Sequence, residues 1–260
     1  MTPWITKPVP FNIGQGAAAG GTPASTLTDG LKLYYTFGAS SSTQPNTASE
    51  VGSTDAIANS DVTLYGDTTH SETGHVAGVN AIGFPTFDLH GNYATSSNPA
   101  SDYDFLVTNS ADTIWTICFW LQTACHGVGC GGNQDFWGLN ANGAGNDLML
   151  RYLTNSQFTM WFAGNEENFT LEMTDTDWHF YRLSWDEPAG IAKMQLDNGA
   201  IQTKTGITTT NTSSPNDPIY FGDTSGSEFE GNMQLFSVWN RILEVSELDE
   251  LWNEGAGKAL

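Results

Sequence analysis

The sequence predicts an all-β chain: two antiparallel sheets packed face to face, with one short C-terminal helix. Short apolar runs alternate with period two, which sends every second side chain to the same face of a strand. Clusters of Gly, Asn, Asp and Pro break these runs at intervals of about 8 to 12 residues, the rhythm of a sandwich. No repeat of solenoid or propeller length is visible. The 260 residues include 9 Trp, 14 Phe and 8 Tyr, enough aromatic surface to fill one sizeable core, so 29–260 is read as a single domain.

Residues 1–28 form a different kind of segment. Pro3, Pro8, Pro10 and Pro23 stand among Gly and Ala, a composition that buries too little surface to fold alone. Trp4, Ile5, Val9, Phe11 and Ile13 are nevertheless more apolar than a linker requires. The segment is therefore expected to be an extended arm docked on other subunits of a larger assembly, making the protein a homo-oligomer or multi-copy component.

The first strand is expected over Leu31 to Phe37, with Leu31, Leu33, Tyr35 and Phe37 on one face. A Ser/Thr/Ala/Asn stretch from Gly38 to Asp61 reads as a long surface loop. Ala81 to Tyr93 is next, then Asp112 to Thr123, apolar on both faces and so packed on both sides. Phe136 to Leu139, Asp147 to Leu153, Gln157 to Ala163 and Asn168 to Met173 continue the strand pattern.

Trp178 to Gly199 is written as a hairpin. His179, Tyr181, Leu183 and Trp185 share a side, Asp186 to Gly190 connects, and Ala192, Met194 and Leu196 line the return. Asn198-Gly199 then suits a turn needing positive φ. Ile201 to Thr205, Pro218 to Gly222 and Phe229 to Trp239 supply the last strands. The helix is expected to start at Ser246 with Asp249 completing a capping box, to stop at Gly255, and to turn Leu248, Leu251 and Trp252 toward the sandwich.

Composition excludes several functions. With 8 Lys plus Arg against 29 Asp plus Glu, the formal net charge is −21, which repels nucleic acid and anionic membranes. No run approaches the roughly 20 apolar residues of a membrane helix, so membrane insertion is not expected. A basic-then-apolar leader is not seen at Met1, which points to synthesis in the cytoplasm. Cys125 and Cys130 flank a Gly-rich loop and suit a disulfide, while Cys118 lies in an apolar strand as an inert thiol.

The order of elements resembles the laminin G-like, or concanavalin A-like, jelly-roll modules. The resemblance runs over about residues 29–254 through Gly30 to Phe37, the Phe87-Asp-Leu-His-Gly-Asn-Tyr93 element, Trp115 to Gln122, Trp178 to Gly199, Pro218 to Gly222 and Phe229 to Leu243. It implies a jelly-roll sandwich, often with calcium at its rim, here through Asp88, Asp223, Glu228 and Glu230. The sequence departs from the family at Gly38 and Gln234, where acids are common.

Some sandwiches of this class are glycoside hydrolases, which need two carboxylates about 5 to 10 Å apart. Glu228-Phe-Glu230 is the one strand-adjacent pair with suitable spacing, and no third acid follows before Glu244; Glu166-Glu167 reads as a loop tip. His179 reads as a satisfied core residue. Catalysis is therefore not expected. Sugar recognition fits better, because rings pair with the apolar face of a sugar, and Tyr152, Trp137 and Trp161 lie on strands able to line an exposed sheet face. The expected role is a non-catalytic virion or surface-assembly protein, of the style of a bacteriophage decoration, fibre or tail component at the virion exterior, adhering to host glycans. The rival is a secreted carbohydrate-binding or glycoside-hydrolase protein of the same fold.

Overall fold

The computed structural model describes residues 26–85, 91–107, 113–124, 132–139, 148–153, 157–162, 165–171, 175–208, 218–223 and 227–260. The expected arm residues Trp4, Ile5, Val9, Phe11 and Ile13, the calcium candidate Asp88, and the pair Cys125 and Cys130 lie outside the described residues.

Sixteen strands are formed among the described residues: β1 (Leu31–Tyr35), β2 (Thr43–Gln44), β3 (Val62–Tyr65), β4 (Thr69–Thr73), β5 (Asn80–Phe84), β6 (Tyr93–Ser96), β7 (Ile114–Thr123), β8 (Gln134–Gly138), β9 (Leu148–Tyr152), β10 (Phe158–Phe162), β11 (Asn165–Phe169), β12 (Trp178–Asp186), β13 (Ile191–Leu196), β14 (Gln202–Thr205), β15 (Tyr220–Phe221) and β16 (Gly231–Trp239). One α-helix follows, α1 (Val245–Trp252). The first sheet runs β14-β13-β12-β7-β16-β5-β4, with β1 also on β16; the second runs β11-β10-β9-β8-β15-β6-β3-β2. Every strand pairing among the described residues is antiparallel, as β7 with β12 and β16 illustrate. The two-sheet antiparallel sandwich with its terminal helix is thus the architecture expected.

The main core lies between the sheets, where Leu33, Tyr35, Trp115, Ile117, Phe119, Phe136, Trp137, Tyr181, Phe221 and Phe236 are all buried. Phe119 and Tyr181 sit on paired strands and stack at 5.1 Å. A second apolar cluster covers the opposite face of the first sheet. It gathers Leu27, Leu31, Tyr34, Cys118, Trp120, Phe180, Trp239 and Leu251 beneath α1 and the chain end. This explains the double-sided strand β7: one face meets the other sheet, the other meets a helix and loops. Cys118 is buried and free, and burial pushes its thiol up to about 12.

Several sequence expectations need correction. Leu31 does not share the face of Leu33, because a bulge between them shifts the register on β16 and sends Leu31 to the second cluster. The stretch 38–61 is docked rather than loose. Asn46 holds it by accepting from the Tyr34 N–H at 2.9 Å and donating to the Lys32 and Ile57 carbonyls, and Gln44, Ala48 and Ser60 are fully buried. Strands β3 and β4 lie where no strand was expected. Glu166 and Glu167 are on β11, opposite Trp161 and Met160, not at a loop tip.

In the turn after β13, Asp197 rather than Asn198 or Gly199 takes positive φ, at 51°. Its carboxylate holds the turn by accepting from the Phe180 N–H at 2.8 Å. The helix begins one half-turn earlier than expected, with Glu244 as cap and Glu247 as the returning partner. Glu247 accepts from the Glu244 N–H at 2.9 Å, so Ser246 is helical and has no capping duty. Leu251 is buried, and Leu248 and Trp252 pack on the second cluster as expected.

Strand β16 is the seam of the first sheet. Gly231 to Met233 pair with β5, whereas Phe236 to Trp239 pair with β1. Between these halves Leu235 has φ 54°, and the register on β7 shifts from Gln234 to Ser237. The bulge lets one strand change neighbours while staying on β7 throughout.

Candidate functional site

The antiparallel registers place five residues in a row across the first sheet: Trp178 opposite Gln122, Gln122 opposite Asn232, Asn232 opposite Gly83, and Gly83 opposite Thr69. Directly opposed residues point to the same face. That face is the one carrying Trp120 and Phe180, one pleat further along, under the helix. At this row the helical cover ends. A cleft with a cavity volume of about 340 Å³ opens along Thr69, Glu72, Gly83, Pro85, Glu230 and Asn232. A second, of about 250 Å³, continues it along Gln122, Thr123, Thr176 and Asn232.

The groove floor is polar, and its groups are fixed. Asn232 donates through Nδ2 to Gln122 Oε1 at 2.9 Å, leaving its own carbonyl oxygen directed toward the Gly83 side of the row. Thr69 donates its hydroxyl to Glu72 Oε1 at 2.7 Å. Gly83 has functional weight here, since a Cβ at that position would lie 2.6 Å from Thr69 Oγ1 and 3.0 Å from Asn232 Oδ1. A side chain there would fill the groove. Trp178, next in the row beyond Gln122, is half-buried against the second apolar cluster, with its ring 6.4 Å from that of His75. His75 is itself stacked on Trp120 at 4.0 Å and donates from Nε2 to the Gly255 carbonyl at 2.6 Å.

His179 sits next to Trp178 on β12. It is satisfied, as expected, but at the rim and half-buried rather than in the core. Nδ1 meets Asp197 Oδ2 at 2.7 Å and Nε2 meets Asp175 Oδ1 at 3.0 Å. The hydrogen bond to Asp197 holds its pKa above the usual histidine value, with partial burial opposing and Asp175 adding to the rise. A raised folded pKa stabilises the fold fully below the unfolded value near 6.5 and loses that contribution as pH rises through the folded value. Thermal melts between pH 6 and pH 9 are therefore expected to show a decline that His179→Gln flattens. Equal slopes in both proteins would exclude this role.

The site residues expected from sequence separate. Trp137 and Tyr152 are 0 % and 1 % exposed, so they do not line an exposed face. The bulge between Asp135 and Trp137 turns Trp137 inward, where its ring meets Phe236 at 5.5 Å, and Tyr152 packs on Phe158 at 5.0 Å. Trp161 alone of the three keeps partial exposure, on the far face of the second sheet opposite Met149.

Glu228 is 4 % exposed. Its Oε1 accepts from the Gly91 N–H at 3.1 Å, while Oε2 is buried without a hydrogen-bond partner among the described residues. A buried carboxylate oxygen of this kind is a hard ligand of the sort calcium takes. Among the described residues, however, no three metal-ligating side chains converge, Asp223 and Glu230 included.

Sequence reasoning passed over Trp178, Gln122, Asn232, Thr69 and Glu72. The signal was available in part: Trp178 has the opposite parity to Tyr181 and Leu183, and Gln122 is the one polar residue on its face near the end of β7. Their assembly into one row depends on registers between strands far apart in the chain.

No protein-family model matches the chain, and no curated protein matches it. Solved structures do. It is similar to the Trypanosoma rangeli sialidase at 14% identity and a TM-score of 0.60, covering 88% of this chain and 34% of the sialidase. The same sialidase in complex with sialic acid gives 15% identity and a TM-score of 0.59, again over 88% and 34%. The binding domain of botulinum neurotoxin DC, in complex with rat synaptotagmin II, is similar at 10% identity and a TM-score of 0.66, over 88% of this chain and 52% of that one. The chain thus spans about a third to a half of the length of these structures, and at such identities the likeness is one of fold.

Proposed function

We propose that the protein is a non-catalytic carbohydrate-recognition module that holds a glycan in the groove at the end of the first sheet. The observation that carries this reading is the cross-strand row from Trp178 through Gln122 and Asn232 to Gly83 and Thr69. A sugar presents an apolar face to a flat ring and hydroxyls to amide and hydroxyl groups, and the row offers both in sequence. Gly83 keeps the floor open. The sialidase and toxin binding-domain sandwiches support the reading at the level of fold.

The acids lining the groove support binding without cleavage. Glu72 and Glu230, the carboxylates lining the groove among the described residues, are both partly exposed, and Glu72 is already engaged by Thr69. A glycosidase acid needs a carboxyl shielded from water so that it keeps its proton near neutrality. Calcium belongs to the same proposal, at Glu228 Oε2, where it would brace the rim rather than touch the sugar.

Glycan-array screening followed by calorimetry on the best oligosaccharide tests this, run with calcium and with a chelator. Trp178→Ala and Asn232→Ala are each expected to weaken binding by about tenfold, as the loss of one stacking or hydrogen-bonding partner implies. Trp161→Ala should leave it unchanged. Absence of binding to any glycan in either condition, or release of reducing ends from a bound one, would reject the reading.

A further inference from the structure

We propose that the apolar groove between α1 and the first sheet is the seat of residues 3–13 of this same chain. The groove is lined by Met194, Ile201, Ile242, Val245 and Leu248, with Arg182 at its base. Ile201, Ile242 and Val245 are 53%, 37% and 66% exposed, so three of the four exposed large apolar side chains among the described residues line this one feature. Such concentration marks a surface meant to be covered.

Arg182 says what kind of atom the occupant brings. The residue is 5% exposed, Nη1 donates to Gln195 Oε1 at 3.2 Å, and Asp249 Oδ1 stands 3.8 Å away. Its Nε and Nη2 are buried without a hydrogen-bond partner among the described residues. Buried N–H groups of this kind call for an acceptor. A proline-rich segment supplies them: proline has no N–H to compete, and an extended chain of this type leaves its carbonyls free of internal bonds.

Position and charge select the chain's own N-terminal segment. Thr26 is the first described residue. Its carbonyl accepts from Arg241 Nη2 at 2.9 Å and its hydroxyl donates to Glu247, and these two anchors flank Ile242 and Val245 in sequence. The described chain therefore begins bound to residues next in sequence to the groove-lining Ile242 and Leu248. A stretch as long and as rich in Gly and Ala as residues 14–25 has a reach on the order of 20 Å. That reach gives a tethered segment a local concentration of about millimolar, which favours it over a copy supplied from solution. Residues 1–25 carry Lys7 and no acid, in a chain of net charge −21, so they approach this acidic surface without repulsion. A carboxylate-bearing lipid would also satisfy Arg182 but must overcome that charge. Trp4, Val9, Phe11 and Ile13 are the apolar side chains this segment offers, and the groove, at about 100 Å³, has room for one of them at a time.

The test uses the full chain with Phe11→benzoylphenylalanine, irradiated as an equal mixture of nitrogen-15-labelled and unlabelled protein. Cross-links are expected to 191–202 and 241–249, overwhelmingly between segments of one isotope. Adding Ile201→Asp with Val245→Asp, both at exposed positions the fold tolerates, should cut their yield at least fivefold at an unchanged melting temperature. Cross-links that fall elsewhere, fail to form, ignore the double substitution, or join labelled to unlabelled chains would each overturn the assignment.

Discussion

Gly231→Ala is expected to lower the melting temperature by about 10 °C, corresponding to about 3 to 5 kcal/mol of lost stability. Gly231 opens β16 with φ 149°, a conformation that side chains rarely adopt. An added Cβ would lie 2.0 Å from the Gln122 carbonyl oxygen, 2.6 Å from the Phe229 ring and 2.9 Å from the Thr123 Cα. Two of these three are backbone atoms of β7, held by pairing on both sides, so no rotamer change relieves the contact. Gly78→Ala separates strain from clash. That glycine has φ 78° but nothing within 4 Å of a Cβ, and its replacement should cost about 1 kcal/mol. Equal losses from the two substitutions, measured by thermal or urea unfolding, would show that the close approach of β16 to β7 is not what Gly231 provides.

Arg241→Ala is the second large effect, expected at about 3 kcal/mol, because it leaves a buried carboxylate without its partner. Arg241 donates from Nη1 to Glu247 Oε2 at 2.7 Å and from Nη2 to Glu247 Oε1 at 2.6 Å. It also donates from Nε to the Asp29 carbonyl at 2.7 Å, which ties the start of the sandwich to the cap of α1. Glu247 is 6% exposed. The Arg241 guanidinium, with the Thr26 hydroxyl and the Glu244 N–H, brings its carboxyl down to about 2 against the burial that opposes ionisation.

A depressed folded pKa stabilises the fold at pH above the unfolded value and loses that contribution as pH falls through the folded value. Glu247 should therefore contribute about 2 to 3 kcal/mol above pH 5, fading between about pH 4.5 and pH 2. Acid titrations of the parent and of Glu247→Gln are expected to converge toward pH 2. Parallel curves across that window would place the stabilisation elsewhere.

The strands most legible in sequence were the long ones with apolar residues recurring along one face or both. β7 and β12 came out where expected, and Tyr181, Leu183 and Trp185 point inward together. β4 was missed because its composition is polar: it is Thr-His-Ser-Glu-Thr, mostly exposed at the sheet edge, and carries no apolar alternation to find. β3 does alternate, with Val62 and Leu64 buried, but its four residues are too short a run to stand out from the polar stretch before it. Alternation also fails wherever a bulge intervenes. Leu31 and Trp137 each lie beside one, and each faces opposite to its expected side. The helix cap moved for a related reason. Ser246 has the right chemistry, but Arg241 fixes Glu247 from outside the helix and so decides which residue starts it.

The candidate site shows the same division. Its aromatic and amide residues are spread over β4, β5, β7, β12 and β16, and no local pattern joins Thr69 to Trp178. Sequence by itself determined the class of fold, its single helix, the inert Cys118 and the acidic surface, because these follow from composition and from periodicity within one strand. Only tertiary structure decided which aromatics are core, that 38–61 is docked, and that four polar and aromatic residues share one row with Gly83. Register between distant strands is set by the packing of the whole sandwich, and a shift of one residue turns every side chain on a strand to the other face.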